Sequence, residues 1–285
     1  MSGAQLALGT VQFGLAYGIA GTGQQVSETA ARDILTRAWA LGIRRLDTAP
    51  GYGSIEERLP ALIGDLPFSI VTKVPALGEF GGDAEAALRK SVRQSRARLG
   101  ARIAGILFHD AEDLEGPRGE RLWKALTEET ENAQIALGLS CYAPSILAAE
   151  GARFPIRMAQ VPANAFDQRL QSASPAPDIE ITVRSLFLQG LLVLPEDIAA
   201  ERVPAARTAL TAWTAFCRAR SLSPLQAALA IAKGFDATYC VVGVETVGQL
   251  EEIVAAWRDA EPIAADELAQ PNADIIDPRR WKASA

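Results

Sequence analysis

The chain has 285 residues, 49% of them apolar and 22% charged, with a net charge of −6. That balance supplies a full core, and without any basic run it excludes a nucleic-acid partner or an anionic membrane surface. Cys141, Cys217 and Cys240 form no Cys-x-x-Cys pair, so neither a disulfide framework nor a structural zinc site is expected. No basic segment followed by a long apolar run marks the N-terminus, and no stretch is apolar for long enough to span a bilayer. Free thiols in a cytoplasmic protein are therefore expected.

A short apolar run at 6–8 is the first predicted strand. Ala30, Ile34, Leu35, Ala38 and Leu41 then recur at helical spacing, with Ser27 placed as N-cap. A strand at 43–47 (IRRLD) follows, and Ser54 with Glu57 fits a capping box for the next helix. After a strand at 68–74, Ala84, Leu88, Val92 and Leu99 form a second stripe that Gly100 can close. Further strands are read at 103–109, 135–140, 156–161, 179–186 and 237–242. Between Asn164 and Ile179 the segment carries Ser172, Ser174, Pro175 and Pro177. Proline lacks the amide hydrogen that a helix interior needs, so the sixth βα unit is expected to be abbreviated. Eight strand–helix alternations predict an α/β fold, a (β/α)8 TIM barrel forming one domain over 1–285, with a polar tail at 271–285. An open doubly wound sheet is the alternative.

Barrel enzymes place their sites where strands end at the C-terminal face. Asp47 ends the second predicted strand, Tyr52 follows five residues on, Lys73 comes near the end of the third strand, and His109, the only histidine, ends the fourth. Taken singly, each has a bland role as turn residue, rim residue or solvated charge. Together they would converge on one mouth. Lys73 lies in an apolar strand and needs a partner, which Asp47 can supply. An ammonium beside a phenol stabilises phenolate, so Lys73 is expected to lower the pKa of Tyr52 and make it a proton donor to a carbonyl oxygen that His109 orients. One histidine cannot build a usual zinc triad, and no metal is expected.

Asp47-Thr-Ala-Pro-Gly-Tyr52-Gly-Ser-Ile-Glu56 matches D-T-A-x-x-Y-G-x-x-E at every fixed position. With Lys73 in TKVP and His109 in LFHD, the chain resembles the aldo-keto reductases from LGTVQFG to QLEE. The resemblance implies an NAD(P)H-dependent oxidoreductase that interconverts an aldehyde or ketone and an alcohol, with Asp47, Tyr52, Lys73 and His109 catalytic. It implies that Ser140 and Gln160 bind the nicotinamide carboxamide, with Asn164 beside them. It also implies that the 184–190 loop, including Arg184, Ser185 and Gly190, runs past the pyrophosphate. Arg184 stands where many relatives carry an aromatic that stacks on nicotinamide. The segment after the eighth strand would bring Gly243, Glu245, Thr246, Gln249 and Glu252 to the adenosine side, and the helix it opens could hold a phosphate. Family habit implies NADP(H). NAD(H) stays open, because Glu245 offers a carboxylate where NADP(H) users often have a cation. Phe13 and Tyr17 are candidates for the substrate pocket, with core or rim packing as the alternative for each. GTVQFGLAYG, FDQRL and RSLFLQGLL resemble a bacterial subgroup of sugar- and polysaccharide-related reductases, which implies a sugar-like or polar small-molecule carbonyl. Two other readings compete: a Schiff-base aldolase with Lys73 as amine, and a cofactor-binding sensor or subunit without turnover. The oligomeric state stays open.

Overall fold

The computed structural model describes residues 3–78, 83–173 and 175–281, so Ser174 and the last four residues of the predicted tail lie outside the described residues. The eight expected strands are present: β1 (Gln5–Gly9), β2 (Arg45–Asp47), β3 (Ser69–Val74), β4 (Ile103–Phe108), β5 (Ala136–Ser140), β6 (Met158–Pro162), β7 (Glu180–Arg184) and β8 (Tyr239–Val242). Each runs parallel to the next, and β8 returns to β1 with Leu6 opposite Cys240 and Leu8 opposite Val242. The sheet is a closed barrel. Closure pairs both edges of every strand, which an open sheet cannot do.

Helices fill the connections. The single turn α1 (Val11–Gly14) and α2 (Glu28–Ala40) follow β1, α3 (Ile55–Ile63) follows β2, and α4 (Ala84–Leu99) follows β3. Next come α5 (Gly116–Thr130) after β4 and α6 (Ile146–Arg153) after β5. Between β6 and β7 the described residues hold only a 3-10 turn, Arg169–Ser172, as the prolines dictate. Three helices, α7 (Glu196–Arg202), α8 (Arg207–Ala219) and α9 (Pro224–Ala232), lie between β7 and β8; α10 (Val247–Asp259) and α11 (Ala273–Ile276) follow. Among the described residues no helix is long and apolar enough to cross a membrane.

Local chemistry explains most of these boundaries. Ser27 accepts the Ala30 amide hydrogen and starts α2, which buries Ala31, Ile34, Leu35 and Ala38. Leu88, Val92 and Leu99 face inward on α4, and Gly100 ends it at φ 59°. The capping box predicted at Ser54 and Glu57 does not form. Ser54 has φ −95° and ψ 11° instead of the extended backbone an N-cap needs, and its Oγ accepts from Arg58 Nε at 3.1 Å.

Inside the barrel Val71, Leu107 and Met158 pack as a small plug. Arg45, Ser69, Glu180 and Tyr239, all first residues of their strands, are tied together at the N-terminal end, with Arg45 Nη1 3.0 Å from Glu180 Oε1. The opposite end is left to other polar residues. The described part of the tail, 271–281, packs rather than trails: Ile275 and Ile276 are buried, and the Arg279 guanidinium lies 3.6 Å from the centre of the Tyr142 ring.

Candidate active site

The four predicted side chains meet at the C-terminal mouth. Lys73 Nζ donates to Asp47 Oδ1 at 2.7 Å and to the Thr48 carbonyl at 3.0 Å, and sits 5.3 Å from the centre of the Tyr52 ring. The Tyr52 ring stands edge-on to His109, centroids 6.0 Å apart. Asp47, Tyr52 and His109 line a cleft; Lys73, 1% exposed, lies behind them. Asp47 Oδ1 also accepts from Gln160 Nε2 at 2.7 Å, which ties β6 to β2.

The loop that carries Tyr52 has its own supports. Gly14 passes so close that a Cβ there would fall 1.8 Å from the Tyr52 carbonyl oxygen. Glu56, the last fixed residue of the motif, faces away from the cleft. It accepts from Thr72 Oγ1 at 2.6 Å and Ser95 Oγ at 2.9 Å and pairs with Arg98 at 3.3 Å, anchoring α3 to β3 and α4.

Burial disfavours the Lys73 ammonium, but Asp47 and Tyr52 outweigh it and hold the group above the ordinary lysine range. A lysine held protonated is a poor amine nucleophile, and the Schiff-base reading loses its basis. The expectation for Tyr52 needs correction. Burial pushes its phenol above the ordinary value, and Lys73 recovers only part of that rise. Burial, then the charge of Lys73, pushes His109 down to about 4, so its imidazole is neutral near pH 7.

The cleft has a volume of about 680 Å³, within the usual range for small-molecule and cofactor sites. Its walls include Tyr17, Ser140, Gln160, Arg184, Ser185, Gly190, Gly243, Glu245, Gln249 and Glu252, all expected at the site. Besides Lys73, three predicted residues lie outside the walls. Phe13 is fully buried in the core. Asn164 is spent on its own turn, its Oδ1 accepting from the Phe166 and Asp167 amides and its Nδ2 donating to the Ser185 carbonyl. Thr246 caps α10 in a capping box with Gln249, whose Oε1 accepts from the Glu245 and Thr246 amides. That box occupies several of the amides proposed for a phosphate, leaving fewer free at this helix start.

Among the wall residues that were not foreseen, two polar ones stand out. Gln12 carries a buried Oε1 without a partner, a demand that a ligand donor could meet. Its place just beyond β1, in LGTVQFG, was the available signal. Tyr142, two residues after Ser140, is the other. The 18–22 segment also bridges the mouth: Ile19 donates to the Gln189 carbonyl and Thr22 to the Glu245 carboxylate at 3.0 Å. It meets a run of left-handed backbone at Leu188, Gln189 and Gly190, with φ 48°, 55° and 100°. The orphaned Gln12 oxygen, the polar walls and the volume fit a nicotinamide dinucleotide.

A closed parallel barrel with a phenol, a buried ammonium–carboxylate pair and a neutral imidazole at its C-terminal mouth is the architecture of a nicotinamide-dependent carbonyl reductase. The sequence model of the Aldo/keto reductase family matches residues 5–273. The chain belongs to that family and is an oxidoreductase. No curated protein matches it. Among solved structures, the aldo-keto reductase AKR11C1 from Bacillus halodurans in its holo form is 21% identical, with a TM-score of 0.67 over 96% of this chain and 94% of that one. The glycerol dehydrogenase AKR11B4 from Gluconobacter oxydans is 20% identical, with a TM-score of 0.67 over 92% and 88%. At such identities the likeness speaks for the fold.

Proposed function

We propose that this protein reduces an aldehyde or ketone to the alcohol, or runs the reverse, with Tyr52 as the proton donor and acceptor. NAD(P)H-dependent carbonyl reduction follows from the family. The observation that carries the finer assignment is the Lys73–Asp47 pair at 2.7 Å, set directly behind a phenol that faces the cleft. When bound, the cofactor supplies hydride from the nicotinamide C4. Tyr52 gives its proton to the carbonyl oxygen, and the Lys73 ammonium stabilises the phenolate left behind. Asp47 keeps that ammonium charged. Neutral His109 contributes a hydrogen bond to the carbonyl oxygen without adding a net charge.

Ser140 and the free oxygen of Gln160 would hold the carboxamide, and the loops around Ser185, Gly190 and Gly243 would flank the phosphates. NADP(H) is what the family resemblance implies. Glu245 and Glu252 stand in the walls formed after β8 and, among the described residues, neither is in a salt bridge, which supports NAD(H), because carboxylates repel a 2′-phosphate. Tyr17, Gln189 and Tyr142 give the mouth polar groups that suit a hydroxylated, sugar-like substrate. Titration with NADH and NADPH, read by quenching of tryptophan fluorescence, and turnover with a panel of aldehydes and ketones test the proposal. Saturable quenching and cofactor oxidation are expected. Quenching without turnover would leave a cofactor-binding sensor, and neither would end the reading.

A further inference from the structure

Among the described residues the cleft walls hold three carboxylates, Asp47, Glu245 and Glu252, and one lysine or arginine, Arg184. Neighbouring arginines at this mouth are neutralised, Arg279 by Asp277 at 2.7 Å and Arg169 by Asp167 at 2.8 Å. Arg184 has no carboxylate within 4.0 Å among the described residues. Its side chain makes two long contacts with neutral groups, Nη1 to Ser185 Oγ at 3.2 Å and Nη2 to the Cys141 carbonyl at 3.4 Å. The guanidinium packs 4.2 Å from the centre of the Tyr142 ring, which fixes its plane and leaves most of its five donors unused.

The direction of the side chain matters. It leaves the end of β7 and reaches the carbonyl just beyond β5, away from the loop after β8. It therefore lies on the side of Tyr52 and His109, and its positive charge is felt by both. Asp277 feels the charge of Arg184 but is paired directly with Arg279, so the half-buried guanidinium has no carboxylate in hydrogen-bond reach among the described residues, and a ligand oxyanion is the group that satisfies it best. A nicotinamide ring cannot do so, being neutral when reduced and cationic when oxidised.

We infer that Arg184 anchors the oxyanion of an acidic carbonyl substrate, an aldehyde or ketone that carries a carboxylate or a phosphate monoester. This names the substrate class of the proposed reductase and rests on that reading. The test uses matched pairs that differ in the anionic group: succinic semialdehyde against butanal, and glyceraldehyde 3-phosphate against glyceraldehyde. The wild-type protein should favour the anionic member of one pair by about 10–100-fold in kcat/KM, the scale of a charge-assisted hydrogen bond. The favoured pair tells carboxylate from phosphate. In Arg184→Gln that preference should fall to about 1, chiefly through KM, and Arg184→Lys should restore part of it. Because the ratio is read, any loss common to both members cancels. A wild-type ratio near 1 in both pairs, or an unchanged ratio in Arg184→Gln, overturns the inference. So does an Arg184→Gln variant whose defect lies in the Kd for NADH and NADPH, which would assign the side chain to the cofactor. If no carbonyl is reduced and neither cofactor quenches fluorescence, the reductase reading itself fails and this inference falls with it.

Discussion

At one end of the cleft, side chains leave the barrel at the termini of paired strands: Asp47 closes β2, Lys73 lies one residue from the end of β3, and their 2.7 Å contact is almost wholly buried. At the other end, loops meet loops, and Glu245 reaches the Thr22 amide at the surface. The first region is held by the same hydrogen bonds that close the barrel, so its charges cannot relax when a partner is lost. The second is wet and can adjust. The contrast teaches that a buried charge pair on paired strands and a wet loop contact respond differently to change, and substitutions at the two ends should differ accordingly.

Lys73→Met should have the largest effect. It strands the Asp47 carboxylate in the interior, at a cost of about 3–5 kcal/mol, and should abolish turnover. Urea unfolding measures the first, and a variant as stable as the wild type would mean that the pair does not govern this end. Tyr52→Phe should lower kcat at least ~100-fold while leaving stability and cofactor affinity near wild type. Retained turnover would show that another group donates the proton.

His109 makes the rigid end sensitive to acid. Its folded pKa of about 4 lies below the ordinary value of about 6.5, so between these pH values the unfolded chain binds a proton that the folded chain refuses. Its share of stability is fully present above pH ~6.5 and is lost as the pH falls toward 4. Carboxylates also titrate in the lower part of this range, so the informative quantity is the difference between wild type and His109→Gln. That difference should be steepest between these two values, and a flat one would contradict the burial of the imidazole. The smallest effect belongs to the loop end. Glu245→Gln should shift the ratio of NADPH to NADH affinity toward NADPH by up to about fivefold, the scale of a solvated charge contact. Equal titration curves before and after would remove Glu245 from cofactor choice.

Much of the site was readable in advance because its residues announce themselves locally. Asp47, Tyr52, Lys73 and His109 follow or end apolar runs, and the prolines at 175 and 177 preclude a helix in the sixth unit. Other assignments failed where the deciding neighbour is distant or the backbone unforeseen. Phe13 could have lined the pocket or packed in the core or at the rim, and burial puts it in the core, while Asn164 is consumed by a turn that also contacts Ser185. The direction of Arg184 depends on a carbonyl 43 residues earlier in the chain.

By itself, then, the order of residues determined the alternation of strands and helices, the short sixth crossover and which polar side chains stand at the strand ends, since periodicity, proline chemistry and side-chain type act over a few residues. Only the tertiary structure decided that β8 pairs with β1 to close the barrel. It also decided that burial outweighs Lys73 in setting the phenol of Tyr52, and that Arg184, beside Tyr52 and His109, has only neutral hydrogen-bond partners among the described residues. Desolvation and charge pairing depend on what distant parts of the chain bring into contact, and a local pattern carries no record of that.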